Sequence, residues 1–186
     1  MLENFLSDTR DIYTSWAMSL HSSEDTLEYK ICHSPQLDKI KFLDCLSDGK
    51  LILEETSLLI LNELKILDKL LAATTQFSLL NSVYDKLSRS THPLAGSIHN
   101  LIPTEIIDQI NRYIHKLILI NDDEEEENIF ESYSNALKDS DAFLLTDDLY
   151  MYQFLTIDND KLISVNSFNA IEYLCCRNSG RNWLYD

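Results

Sequence analysis

Basic side chains and long apolar runs are both scarce in this sequence. Its 186 residues contain 15 Lys and Arg against 31 Asp and Glu, which gives a formal net charge of -16. Such a charge repels a phosphate backbone, so we expect chemistry on nucleic acid only with the help of metal ions or a basic partner. No apolar run approaches the roughly 20 residues of a membrane-spanning helix, and we expect no membrane partner.

We expect neither a secretion signal nor a disulfide framework. The start, MLENFLSDTRD, lacks the basic region followed by an apolar one that marks a signal peptide, so a cytoplasmic location is expected. Two cysteines stand apart and two are adjacent (Cys175 and Cys176), a spacing that favours reduced thiols. A zinc site at Cys32, His33 and Cys45 has no recognised spacing, and we do not expect one.

The composition predicts one folded domain with an added helical segment. An apolar content of 45% excludes a disordered chain, and the length suffices for one core. Residues 1–47 form the predicted N-terminal helical extension, in which Phe5, Tyr13 and Trp16 lie near helical spacing and are expected to cover part of the domain. The main domain is predicted over residues 48–186.

Short apolar runs alternate with helical patterns along this domain. Strands are predicted at Leu51–Leu53, Gln76–Leu80, Ala142–Leu145 and Lys161–Val165. Helices are predicted at Leu58–Ala72, Val83–Ser90, Thr104–Leu119, Ile129–Lys138 and Asn169–Cys175. This order predicts a three-layer α/β/α fold with a mostly parallel central sheet, in which the first three strands are neighbours.

Acidic residues come directly after two of these strands. Glu54 and Glu55 follow the first strand, and Asp147 and Asp148 follow the third. Open α/β sheets bind ligands at the carboxyl ends of their strands, where clustered carboxylates can hold Mg²⁺ or Mn²⁺. A structural interpretation stays open, with Asp147 and Asp148 as a turn and helix-cap pair and the two glutamates as first-turn acids.

The same segments, taken in order, resemble PIN-domain proteins. LILEETSLLIL resembles the opening strand and helix of that family, with Glu54 as the acid and Thr56 as the small hydroxyl residue. FSLLNSVYDKLSR resembles the second strand and helix, with Lys86 where the family has an acid and Asp85 one residue early. Both Glu54, in place of the usual aspartate, and Lys86 depart from the family pattern.

Two later segments extend the resemblance, which covers residues 48 to 175. ESYSNALKDSDAFLLTDDLYMYQF resembles the late helix, strand and acidic turn, and contributes Glu131, Asp147 and Asp148. KLISVNSFNAIEYL resembles the closing strand and helix. The resemblance implies a metal-dependent nuclease acting on RNA. Its implied catalytic residues are Glu54, Asp147 and Asp148, its metal ligands are these three with Asp85 and Glu131, and its substrate-binding residues are Thr56 and Lys86.

Two functional hypotheses follow. The first is a PIN-like ribonuclease using Mg²⁺ or Mn²⁺, as the effector of a toxin or defence pair whose antitoxin supplies a basic surface. The second is a catalytically weakened PIN-like module that presents its acidic face to a basic protein; a homodimer is left open. Under the first hypothesis Glu54 and Asp147 share a concave site, Glu131 lines it and Lys86 lies at its rim. Asp147 is then an exposed ligand, and alanine there leaves the fold intact.

Overall fold

A five-stranded, all-parallel sheet forms the centre of the protein. The computed structural model describes residues 12, 13, 16, 50–91, 101–122, 129–138, 142–158 and 164–179. The strands are β1 (Leu51–Leu53), β2 (Phe77–Leu80), β3 (Leu117–Ile120), β4 (Phe143–Leu145) and β5 (Ser164–Val165), in the spatial order β3-β2-β1-β4-β5. β1, β2 and β4 are buried along their whole length, as parallel strands covered on both faces require.

Helices cover both faces of this sheet. They are α1 (Glu55–Glu63), α2 (Leu67–Ala73), α3 (Asn81–Ser90), α4 (Leu101–Arg112), α5 (Ile129–Lys138), α6 (Leu149–Asp158) and α7 (Ser167–Ser179). Helices α1 to α4 and α7 are connected by mutual contacts, and α5 contacts α6 and β4. The chain moves in one direction along the sheet from β1 through β2 to β3, and then returns to β4 and β5 on the other side of β1. Because crossovers between parallel strands are right-handed, the helices of these two parts lie on opposite faces of the sheet. The predicted three-layer α/β/α fold is therefore confirmed, as is the β2-β1-β4 neighbourhood.

Only three residues of the predicted N-terminal extension are described. Ile12, Tyr13 and Trp16 are helical, and the two aromatic side chains are buried in the hydrophobic core. Their burial agrees with a helix that covers the main domain. The remainder of residues 1–47, which includes Phe5 and the cysteine-histidine candidates for zinc, lies outside the described residues.

The single helix predicted over Leu58–Ala72 is wrong, because α1 ends at Glu63 and α2 begins at Leu67. The break occurs at Lys65, whose φ of 57° is left-handed. Its N–H donates to the Asn62 carbonyl and the Ile66 N–H donates to the Leu61 carbonyl, the paired bonds of a Schellman helix end. Apolar residues continue across this break, so periodicity alone did not reveal it.

The helix predicted over Thr104–Leu119 is also wrong at both ends. It starts earlier, at Leu101, and ends at Arg112; a 3-10 turn over Ile114–Lys116 then leads into β3. The apolar residues of β3 fall near the helical spacing of α4, which hides the change of period. The described residues therefore contain one more strand than predicted, and this strand lies at the edge of the sheet beside β2.

Candidate functional site

The carboxyl ends of β1 and β4 lie side by side. Leu53 is in register with Leu145, and the Glu54 N–H donates to the Leu145 carbonyl at 3.0 Å. The side chains that follow these two strands, Glu54 on one and Thr146 with Asp147 on the other, are all buried. The fold thus brings together acids that are more than 90 residues apart in sequence.

Glu54 is the N-cap of α1. Its Oε1 accepts hydrogen bonds from the Thr56 N–H at 2.9 Å and from the Thr56 hydroxyl at 3.1 Å. Its Oε2 accepts from the Ser57 N–H at 3.3 Å and from the Thr146 hydroxyl at 3.4 Å. The side chain therefore satisfies two of the backbone N–H groups that every helix leaves without an intrahelical acceptor.

Burial raises the pKa of the Glu54 carboxyl to about 8. The hydrogen bond from the Thr56 N–H opposes this increase by stabilising the ionised form, whereas the charges of Glu55 and Asp148 add to it. The Glu54 carboxyl therefore keeps its proton to a higher pH than an ordinary glutamate. Because a carboxyl group must lose its proton to bind a cation, any metal binding by Glu54 would strengthen as the pH rises towards this pKa.

Asp147 joins the first turns of two helices. Its Oδ2 accepts from the Ser57 hydroxyl of α1 at 2.9 Å and from the Ser167 hydroxyl of α7, and its Oδ1 accepts from the Ser167 N–H at 3.0 Å. The residue is only 7% exposed. The prediction that Asp147 is an exposed ligand is therefore wrong, because hydrogen bonds to both helices hold it in the interior.

Two further aspartates at this edge cap helices. Asp148 Oδ1 accepts from the Tyr150 N–H at 2.7 Å and from the Met151 N–H at 3.3 Å, the second and third residues of α6. Asp122, just beyond β3, accepts from the Ser82 N–H at 3.0 Å and from the Ser82 hydroxyl at the start of α3. Negative charge at a helix N-terminus is favourable, so these acids stabilise the fold where they are.

Hydrogen bonds occupy most of the acceptor positions of the two central acids. An ionised carboxylate offers about four lone-pair positions. Glu54 receives four hydrogen bonds and Asp147 receives three. A Mg²⁺ or Mn²⁺ ion, which requires near-octahedral oxygen ligands, would have to displace these donors. The residues present therefore do not fit the metal that the sequence resemblance implies.

Lys86 forms an ion pair with Glu55, the second of the two glutamates that follow β1. Its Nζ lies 2.9 Å from Oε1 and 3.1 Å from Oε2 of Glu55, and 5.4 Å from the centre of the Tyr13 ring. Glu55 is 7% exposed, so its charge requires a partner. Lysine at this position therefore neutralises a buried acid in the first turn of α1. A cavity of about 420 Å³ beside it is lined by Ser82, Asp85, Lys86, Arg89 and Ser90.

Tyr133 reaches the same region from the opposite helical layer. Burial raises the pKa of its hydroxyl well above the usual value, and the charges of Glu54, Glu55 and Asp122 add to this increase while the Glu55 N–H opposes it. The ring is fully buried, and its hydroxyl makes no hydrogen bond of good geometry within the described residues. The uncharged Tyr133 side chain therefore lies between these acids and the α5 side of the sheet.

The two remaining sequence candidates are placed elsewhere. Glu131 is exposed on α5, and Tyr133, two positions later and about 200° around the helix, takes the face towards Glu54. Asp85 lies on α3 with its carboxylate 3.8 Å from the Arg89 guanidinium. Among the described residues, no hydrogen bond or ion pair joins Glu131 or Asp85 to the acids at the ends of β1 and β4.

The serines that organise the edge were missing from the sequence-based candidates. Ser57 and Ser167 each bind Asp147, yet they lie 90 and 20 residues from it in sequence. For Ser167, and for Ser82 beside Asp122, the sequence did contain a signal, because an Asn-Ser pair follows an apolar run at both 81–82 and 166–167. Such pairs are typical of helix starts. Their bonds to aspartates from neighbouring strands depend on the sheet order, which local sequence does not contain.

Comparison with known proteins adds no identification. No family model matches the sequence, and no curated protein matches it. Within the described ranges, no group of three or more His, Cys, Asp and Glu side chains is arranged to hold a metal ion. None of the helices in those ranges is long and apolar enough to span a membrane.

Proposed function

We propose that this chain is a catalytically weakened PIN-like module that binds a basic protein partner through its acidic face. The proposal rests on the sequence resemblance together with a sheet order that places Glu54 and Asp147 at one edge. It rests most directly on one observation: the carboxylates at this edge already serve as helix caps and ion-pair partners. Their bonds stabilise the fold instead of leaving oxygens free for a cation.

The altered positions support the same conclusion. The family pattern has an acid where this chain has Lys86, and the ammonium group binds Glu55 instead of leaving a net negative pocket. Glu54, longer than the usual aspartate, folds back onto the N–H groups of its own helix. Both substitutions thus have a structural role here, and both reduce the capacity for metal-dependent hydrolysis.

The net charge of -16 favours a basic protein as the partner. Five further acids follow Asp122 in the sequence, at 123–127, and Glu131 is exposed on α5. An acidic surface attracts basic partners over roughly a Debye length, about 8 Å at physiological salt. Association with such a partner should therefore be fast at low salt and should weaken as salt increases.

The metal part of the proposal is tested by calorimetric titration of the full chain with Mn²⁺. We expect no heat above dilution for the natural protein and none for a variant carrying Glu54→Ala with Asp147→Ala. Heat that fits a saturable site in the natural protein and disappears in the double variant would overturn the proposal.

The binding part is tested with an oligolysine peptide as the probe. We expect salt-dependent binding that weakens several-fold when the acids at 123–127 are replaced by their amides, a change that spares the capping Asp122. Binding that is unchanged by salt and by these replacements would contradict an acidic docking surface. A version with Asp68→Asn, a partly exposed acid on α2 that is paired with Arg112, serves as a single-charge control away from this acidic run.

A metal-dependent ribonuclease is the second candidate, and one specific observation favours it. Glu54 and Asp147 both bind Ser57, so two acids of the implied catalytic set lie at a common point. Cleavage of a labelled single-stranded RNA with Mn²⁺ present tests this candidate. Cleavage that is lost in Asp147→Asn would support it, and the absence of cleavage at enzyme excess would reject it.

A further inference from the structure

We draw no further inference here: the strongest candidate, the exposed apolar edge of the sheet at β3, pairs only with β2 among the described residues, and nothing in the structure shows what covers it.

Discussion

The Ser57 hydroxyl donates a 2.9 Å hydrogen bond to Asp147 Oδ2 across 90 residues of sequence. It connects the first turn of α1 to the carboxyl end of β4, and the N–H of the same serine binds Glu54. One residue therefore joins the two acids that sequence reasoning had selected as catalytic. Because Ser57 is fully buried, this connection stabilises the junction of β1 and β4.

Replacement of Ser57 by alanine should destabilise the protein by about 1–3 kcal/mol, because it leaves a buried acceptor on Asp147 with one donor fewer. Urea unfolding followed by circular dichroism measures the change. Thr75→Ala, at an exposed position before β2, should change stability by less than about 0.5 kcal/mol. Equal effects of the two substitutions would contradict the role assigned to Ser57.

The Glu54 pKa predicts a specific dependence of stability on pH. The folded state holds a proton on this carboxyl up to about pH 8, whereas the unfolded state releases it near the usual value of 4.5. The native state therefore binds more protons between these limits, and the contribution of Glu54 to stability falls as pH rises from about 4.5 to about 8.

Glu54→Gln isolates this contribution. The natural protein should lose up to about 1.4 kcal/mol per pH unit relative to the variant within that window, because glutamine cannot titrate. Unfolding free energies measured at several pH values for both proteins provide the comparison. A difference between the two that stays constant from pH 4.5 to pH 8 would show that the Glu54 pKa is not raised.

The ion pair between Lys86 and Glu55 should be coupled in a double-mutant cycle. Lys86→Met alone leaves a buried charge on Glu55 without its partner and should cost about 1–3 kcal/mol. Glu55→Gln in the same protein should recover much of this loss, since the amide has no charge to compensate. Additive effects of the two substitutions would indicate that the observed contact contributes nothing to stability.

At position 65, glycine should give a more stable protein than alanine. The left-handed backbone conformation of Lys65 costs a residue with a Cβ about 1 kcal/mol, a cost that glycine avoids. Lys65→Gly should therefore be more stable than Lys65→Ala, which removes the same exposed ion pair with Glu105 but keeps the Cβ. Thermal unfolding of the two variants measures the difference. Alanine equal to or above glycine would contradict a strained helix end.

The sequence predicted the parts of this fold that depend on local pattern. β1, β2 and β4 are short apolar runs followed by helix-starting residues, and their parallel neighbourhood was expected. β3 was missed because Leu117 and its neighbours continue the apolar spacing of α4. Ser57 and Ser167 were missed for another reason: their acceptor, Asp147, becomes their neighbour only after β4 pairs with β1 and β5.

The acids at the carboxyl ends of β1 and β4 stabilise the fold by accepting hydrogen bonds from the first turns of helices, and they are not free ligands for a cation. The free energy of unfolding of Asp147→Ala in metal-free buffer tests this role most directly, with Asp147→Asn as the conservative comparison. We expect a loss of about 2–4 kcal/mol for alanine, because three hydrogen bonds disappear from a buried site, and a smaller loss for asparagine. An Asp147→Ala variant as stable as the natural protein, or more stable, would contradict the account, since removal of a repelled metal ligand gives that result.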